Sequence, residues 1–276
     1  MIFSRRDLDI ERYPAIKRHL DSFRERLEPK PRGYAGSKWP GRKEGGYKWF
    51  ELQDPIEYWR EFEKPKIFYQ VIQFHPRYSL DTEGTLGNDK TFFLPTADLF
   101  LLAVMNSPLM WWFNWHHLVH MKDEALTPLG YLMGQLPIPD PLPAARKRAK
   151  QIVGQLIDLT GGRTSGLRAL LDWLHVELGA ELSAGRLSEL VDRSPEELVA
   201  AVSKTRPKKA GLTAAQLHRL RAEYTASVVP MREQGAKAAA LERELSDLVN
   251  AAYGLTPADV ALMWQTAPPR MPITPP

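Results

Sequence analysis

The 276-residue chain contains no cysteine. Disulfides and thiolate-held metals are thereby excluded, and the absence fits a reducing cytoplasm better than a cross-linked secreted scaffold. Long apolar runs are missing as well. The most hydrophobic stretch, Leu99 to Phe113, is broken by Asn106 and Pro108 and is too short to cross a bilayer. The opening MIFSRRDLDIERYP lacks the apolar core of a signal peptide. A cytoplasmic protein with no membrane partner is therefore expected. No Gly-x-Ser-x-Gly elbow or glycine-rich loop after a strand is found, so nucleophilic and dinucleotide chemistry have no visible seat.

What is present is ordinary globular material, 43% hydrophobic and 25% charged, in a length that suggests two cores. A net charge of +4 decides little on average, but its distribution is uneven. Residues 1 to 80 hold 17 Lys and Arg against 12 Asp and Glu, whereas residues 81 to 143 hold two against seven. The positive potential sits early.

Helical spacing of Tyr13, Ile16, Leu20, Phe23 and Leu27 predicts a helix from Tyr13 to Glu28. The stretch RGYAGSKWPGRKEGGYKWF then reads as a long glycine-rich loop in which aromatics alternate with basic residues. A short helix is expected from Pro55 to Glu63, a strand in KPKIFYQVIQF at 64 to 74, and two more at Arg77 to Leu80 and Thr91 to Leu94, joined as an antiparallel hairpin. Thr96 is read as the cap of a buried helix, and Ser107-Pro108 as the start of a second, LMWWFNWHHLVH. The proline-rich LPIPDPLP at 136 to 143 reads as a stiff connector. Beyond it, helical periods run over Pro143 to Leu159, Gly166 to Leu178, Pro195 to Ser203 and Thr213 to Asn250, the last broken near Pro230 to Gly235. Thr256-Pro257 opens a final helix, and the tail after Ala267 is expected to fray. The fold class expected is α+β, a small mostly antiparallel sheet with flanking helices in residues 1–143, followed by an all-helical domain in 144–276.

Cationic and aromatic side chains on a flexible glycine backbone suit contact with DNA: ammonium and guanidinium groups neutralise phosphates, and Arg or Lys can donate to guanine. Lys38, Trp39, Arg42, Lys43, Tyr47, Lys48 and Trp49 form the principal candidate set. Lys66, Arg77, Tyr78, Asn88 and Lys90 form a second near the sheet, although alternation allows only one face of 66–71 to point outward. His116 and His120 lie four apart on a predicted helix, but the surrounding Trp111, Trp112, Phe113 and Trp115 argue for packing, and no metal site is expected. Glu28-Pro29-Lys30 has the Glu-x-Lys spacing of nucleases in a context that defeats it, after a helix and between prolines. Lys204, Arg206, Lys208 and Lys209 make a further basic cluster between helices.

The phrases YPAIKRHLDSFRERLE, EYWREFEKPKIFYQVIQFHPRYSLDTEG, NDKTFFLPTADLFLLAVMNSPLMWWF and QLPIPDP occur in that order. In this order and spacing, residues 10 to 143 resemble the TaqI-like C-terminal specificity domain of adenine-specific DNA methyltransferases and type IIG restriction-modification enzymes. LERELSDLVNAAYGLTPADVALM resembles the helical end of the same enzymes. The resemblance implies a target-recognition module for double-stranded DNA in a restriction-modification or phage-defence system. Methyl transfer to adenine N6 and binding of S-adenosylmethionine would belong to a partner catalytic domain or subunit. The chain departs from the full-length pattern: the Asn-Pro-Pro-aromatic motif is absent, its Pro-Pro pairs being Pro268-Pro269 and Pro275-Pro276. No catalytic or cofactor-binding residue is expected here, and the chain is either a fragment or a separate subunit. The alternative is a protein-interaction or regulatory subunit of such a system that does not bind DNA.

Overall fold

Alternation places Ile67 and Tyr69 on one face of β1 (Lys66–Gln70), where both are buried. In the computed structural model, which describes residues 2–54, 56–206 and 211–275, β1 is the middle strand of three. β2 (Ser79–Asp81) pairs antiparallel on one side, Ile67 opposite Leu80, and β3 (Thr91–Leu94) on the other, Tyr69 opposite Phe92. The expected β2–β3 hairpin does not form. β1 is the most buried strand and takes the central position, so the chain between β2 and β3 crosses from one edge of the sheet to the other. Gln73 carries the β1 line further by bridging to Leu126. That residue belongs to β5 (Leu126–Thr127), which pairs with β4 (Val119–His120) in a second small sheet.

The chain forms two compact units, residues 1–64 with 83–85 and residues 65–82 with 86–276. In the first, the helix expected over Tyr13–Glu28 is divided. α1 (Pro14–Asp21) ends where the Ser22 hydroxyl donates to the His19 carbonyl at 2.6 Å, and α2 (Arg24–Leu27) restarts after Phe23. A 3₁₀ segment, Glu57–Glu63, takes the place of the expected short helix; Pro55 lies outside the described residues.

In the second unit, the apolar run folds as α3 (Leu99–Met105), with five of its seven residues buried. Its cap is Asp98, which accepts from the Phe100 amide at 2.9 Å, while Thr96 stands one step earlier and accepts from the Asp98 amide. α4 (Pro108–His117) follows, capped by Ser107, and then the short α5 (Gly130–Met133). α6 (Pro143–Leu178) runs unbroken for 36 residues through Gly161-Gly162, where two helices were expected. Packing explains the continuity. α10 (Val229–Ala252) lies antiparallel to α6, and at Gly166 an added Cβ would stand 3.1 Å from the Met231 sulfur, so the glycine permits a close crossing whose contacts offset its poor helix propensity.

Between the long helices run α7 (Ala184–Val191), unexpected from the sequence, α8 (Pro195–Thr205) and α9 (Ala214–Glu223). α9 continues into α10 through a π turn at Tyr224–Val228. The expected break near Pro230 is thus absorbed: the wider turn displaces the carbonyl that the proline ring would otherwise strike. α11 (Pro257–Gln265) is capped by Thr256 as expected. The tail beyond it does not fray. Trp112 Nε1 donates to Thr266 Oγ1 at 2.9 Å and Trp111 Nε1 to the Pro269 carbonyl at 3.0 Å.

Two principal cores result within this unit. One joins Ile67, Tyr69 and α3 to Leu136, Ala149, Ile152, Leu245 and Val249; the other joins the carboxyl half of α6 to α7, α8, α9 and Met231. The fold is α+β. The 136–143 segment, expected to be a connector, places Leu136 in the core shared by sheet and long helices.

Asp98 also clamps α3 to α6, accepting from Arg146 at 2.9 Å with Lys150 at 3.6 Å. Partial burial raises its pKa, but the Phe100 amide and the Lys150 and Arg146 charges outweigh that and hold it below the ordinary value. A depressed folded pKa gives stability that is present above the unfolded value of about 3.9 and is lost as pH falls through the folded one. Asp98→Asn keeps the cap and removes the charge. It is expected to cost about 1 kcal/mol at pH 7 in urea denaturation, and the difference from the parent should shrink below pH 4.

Candidate nucleic-acid interface

Glycines and prolines deny residues 29–54 regular structure, and one side chain organises much of the segment. Arg42 Nε donates to the Leu27 carbonyl at 2.6 Å, Nη1 to Glu51 O at 2.7 Å, and Nη2 to Trp49 O at 2.8 Å and Lys48 O at 3.3 Å. Its guanidinium also lies 4.5 Å from the centroid of the Tyr47 ring. The planar fork fits this carbonyl cage. The Arg42 and Lys30 amides complete a bridge to Glu28 O and Arg42 O, both at 3.0 Å.

Arg42 is therefore the internal staple of the loop rather than one of its outward-facing groups. Tyr47 is buried and donates its hydroxyl to the Lys43 carbonyl. Trp39 Nε1 donates to the Glu28 carbonyl at 3.0 Å, and Trp49 is half-buried beneath Arg24. Lys43 is exposed and pairs with Asp54 at 3.0 Å; the Lys43 ammonium and the Gln53 amide hold that carboxyl below its usual pKa. Lys48 reaches the buried Glu51 at 4.0 Å. Lys38 is the candidate whose ammonium is exposed and has no ion-pair partner among the described residues. Arg32, which sequence reasoning did not single out, shares that condition, as do Arg18 and Arg26 on the two helices. The sequence shows each of them as a basic residue at a polar position, but whether an acid comes near it is a property of the fold.

The second candidate set divides in the same manner. Lys66 is fully buried, paired with Asp81 and 5.0 Å from the Phe68 ring centroid, so it belongs to the sheet's interior. Tyr78 is buried, its hydroxyl pKa driven far up by desolvation. Asn88 accepts from the Lys90 amide at 2.9 Å and shapes the turn before β3. Lys90 is exposed beside Asp89, and Arg77 is exposed without an ion-pair partner among the described residues.

His116 and His117 end α4 and lie against Trp112 and Phe113, whereas His120, expected on the same helix, falls in β4 because the helix stops at His117, and lies against Trp115. Among the described residues, no three His, Cys, Asp or Glu side chains cluster as metal ligands. In the helical region Arg206 caps α6 by donating to Leu178 O at 2.8 Å; Lys208 and Lys209 lie outside the described residues.

If Arg42 holds the loop, loss of its fork should loosen the whole segment. Arg42→Ala and Arg42→Lys are both expected to cost about 2 kcal/mol. Chymotrypsin should cut at Tyr47 and Trp49 in both variants at rates at which the parent resists. Full rescue by lysine would contradict the cage.

Residues 143–249 match a family described as a domain of unknown function (DUF8810). The match starts at the first residue of α6 and ends within α10. No curated protein and no solved structure shows significant similarity to the chain. Among the described residues, no helix is long and apolar enough to cross a membrane.

Proposed function

We propose that the chain is a DNA-reading module that acts with a separate adenine methyltransferase catalytic domain or subunit. S-adenosylmethionine and the methyl-transfer chemistry belong to that partner. The ordered series of phrases resembling TaqI-like specificity domains motivates the reading. The observation that carries it is the loop at 28–54: its own arginine fixes its backbone, and Lys38 and Arg32 stand exposed with no acid to neutralise them among the described residues. A prearranged cationic loop loses less freedom on binding than a floppy one, and counterion release supplies sequence-independent affinity. Trp39 and Trp49 of the same loop are half-buried and leave part of each side chain exposed.

A second reading, a subunit that docks protein and not DNA, draws on a specific observation as well. Arg42 and Lys66 are committed internally, while Lys43 and Lys90 each have a carboxylate beside them.

The two readings separate on charge reversal at positions outside the cage. With Lys38→Glu and Arg32→Glu together, fluorescence anisotropy on duplex DNA at low salt should show at least a tenfold loss of affinity. The slope of log affinity against log salt should fall by about two, one for each phosphate that is no longer neutralised. Binding equal to that of the parent, or no binding by the parent at low salt, would sink the first reading in favour of the second.

A further inference from the structure

A cavity of about 750 Å³ opens within the second unit, where the 75–80 segment, the α3–α4 corner, α6, α10 and the tail meet. The volume is in the range that small molecules occupy. Apolar side chains make most of the lining, among them Leu80, Leu102, Val153, Leu156 and Leu245. The cavity's edge is fixed: Asn106 donates to the Tyr78 carbonyl at 3.0 Å and accepts from the Tyr78 amide at 3.0 Å, holding the 75–80 segment on α3. The tail residues Met271 to Ile273 supply another wall, and Pro269 O on Trp111 anchors them.

The charged groups in this lining are unevenly placed. Arg77 and His75 lie on the strand-side segment, and Arg77 has no ion-pair partner among the described residues. Burial lowers the His75 pKa, and the positive charges of Arg77 and Arg270 lower it further, so this end carries cationic potential. On the α10 wall stands Glu242, whose carboxyl is pushed up by desolvation and has no ion-pair partner among the described residues. By area the residue is exposed, so it is a rim group of the cavity. An anionic ligand group is favoured beside Arg77 and disfavoured beside Glu242, which fixes an orientation.

We infer that this cavity binds an amphipathic small molecule with one anionic head, the head at Arg77 and the apolar body against Leu80, Leu102, Leu156 and Leu245. The inference does not depend on DNA reading, since it concerns other side chains and another ligand. The test uses the full chain and two probes of equal chain length, dodecanoate and dodecanol, each displacing the fluorescent probe anilinonaphthalene sulfonate. One saturable site is expected, with dodecanoate bound at least tenfold more tightly than dodecanol. Arg77→Gln should abolish that preference and leave dodecanol binding intact. Ile157→Trp enlarges a half-exposed side chain in the α6 wall and should exclude both probes while circular dichroism remains that of the parent. Equal affinity for the two probes, no effect of Arg77→Gln, or no saturable dodecanoate binding would overturn the inference. If Ile157→Trp misfolds, the Arg77→Gln comparison decides alone.

Discussion

Antiparallel packing of two long helices is the constraint on which the second unit rests. α6 and α10 each have one half in the core that includes the sheet and the other half in the all-helical core. Neither core has the other's residues, so the rigid helix pair is what relates them, much as a beam relates two loads. Glycine at 166 permits the close approach, and the π turn before Pro230 lets α10 keep its line into α9. The segment matched by the family of unknown function is bounded by these same two helices, so the shared feature is a supporting structure rather than the cationic loop.

Two kinds of cation in this protein look alike in the sequence. Arg42 and Lys66 are structural: one fork saturates carbonyls across a loop lacking regular structure, and one ammonium, wholly buried, balances Asp81. Removing either partner of such a pair leaves a buried group uncompensated, which is a far larger penalty than loss of a rim charge. Lys38, Arg32 and Arg77 are exposed and have no ion-pair partner among the described residues. Binding energy must come from the second kind, while the first determines whether the second is presented in a fixed geometry.

The strongest periodic and capping signals were legible. Thr91 to Leu94 is β3 to the residue, Ser107-Pro108 begins α4, and Thr256-Pro257 begins α11. The misreadings share a cause, which is that tertiary contacts outweighed local preference. Gly161-Gly162 signals a break, yet α10 packs along α6 and the helix runs through. Pro230 signals a kink, and the chain answers with a π turn. A short polar loop suggested that β2 and β3 pair, but β1 pairs with both and stands between them. The proline-rich tail looked unsupported because its partners, Trp111 and Trp112, lie more than a hundred residues earlier. In the candidate interface, composition located the loop but could not say which basic residue had become its scaffold; only the carbonyls around Arg42 reveal that.

The shared core has a temporal side. β1 and α3 are synthesised well before α10, yet Ile67 and Phe100 are packed in the same apolar cluster as Leu245 and Val249. On the ribosome the sheet therefore emerges before the part of its cluster that α10 supplies, with α3 and α6 packed first. Truncation within α10 between Met231 and Leu241 leaves the sheet-side core without Leu241, Leu245 and Val249 while the all-helical core keeps Met231.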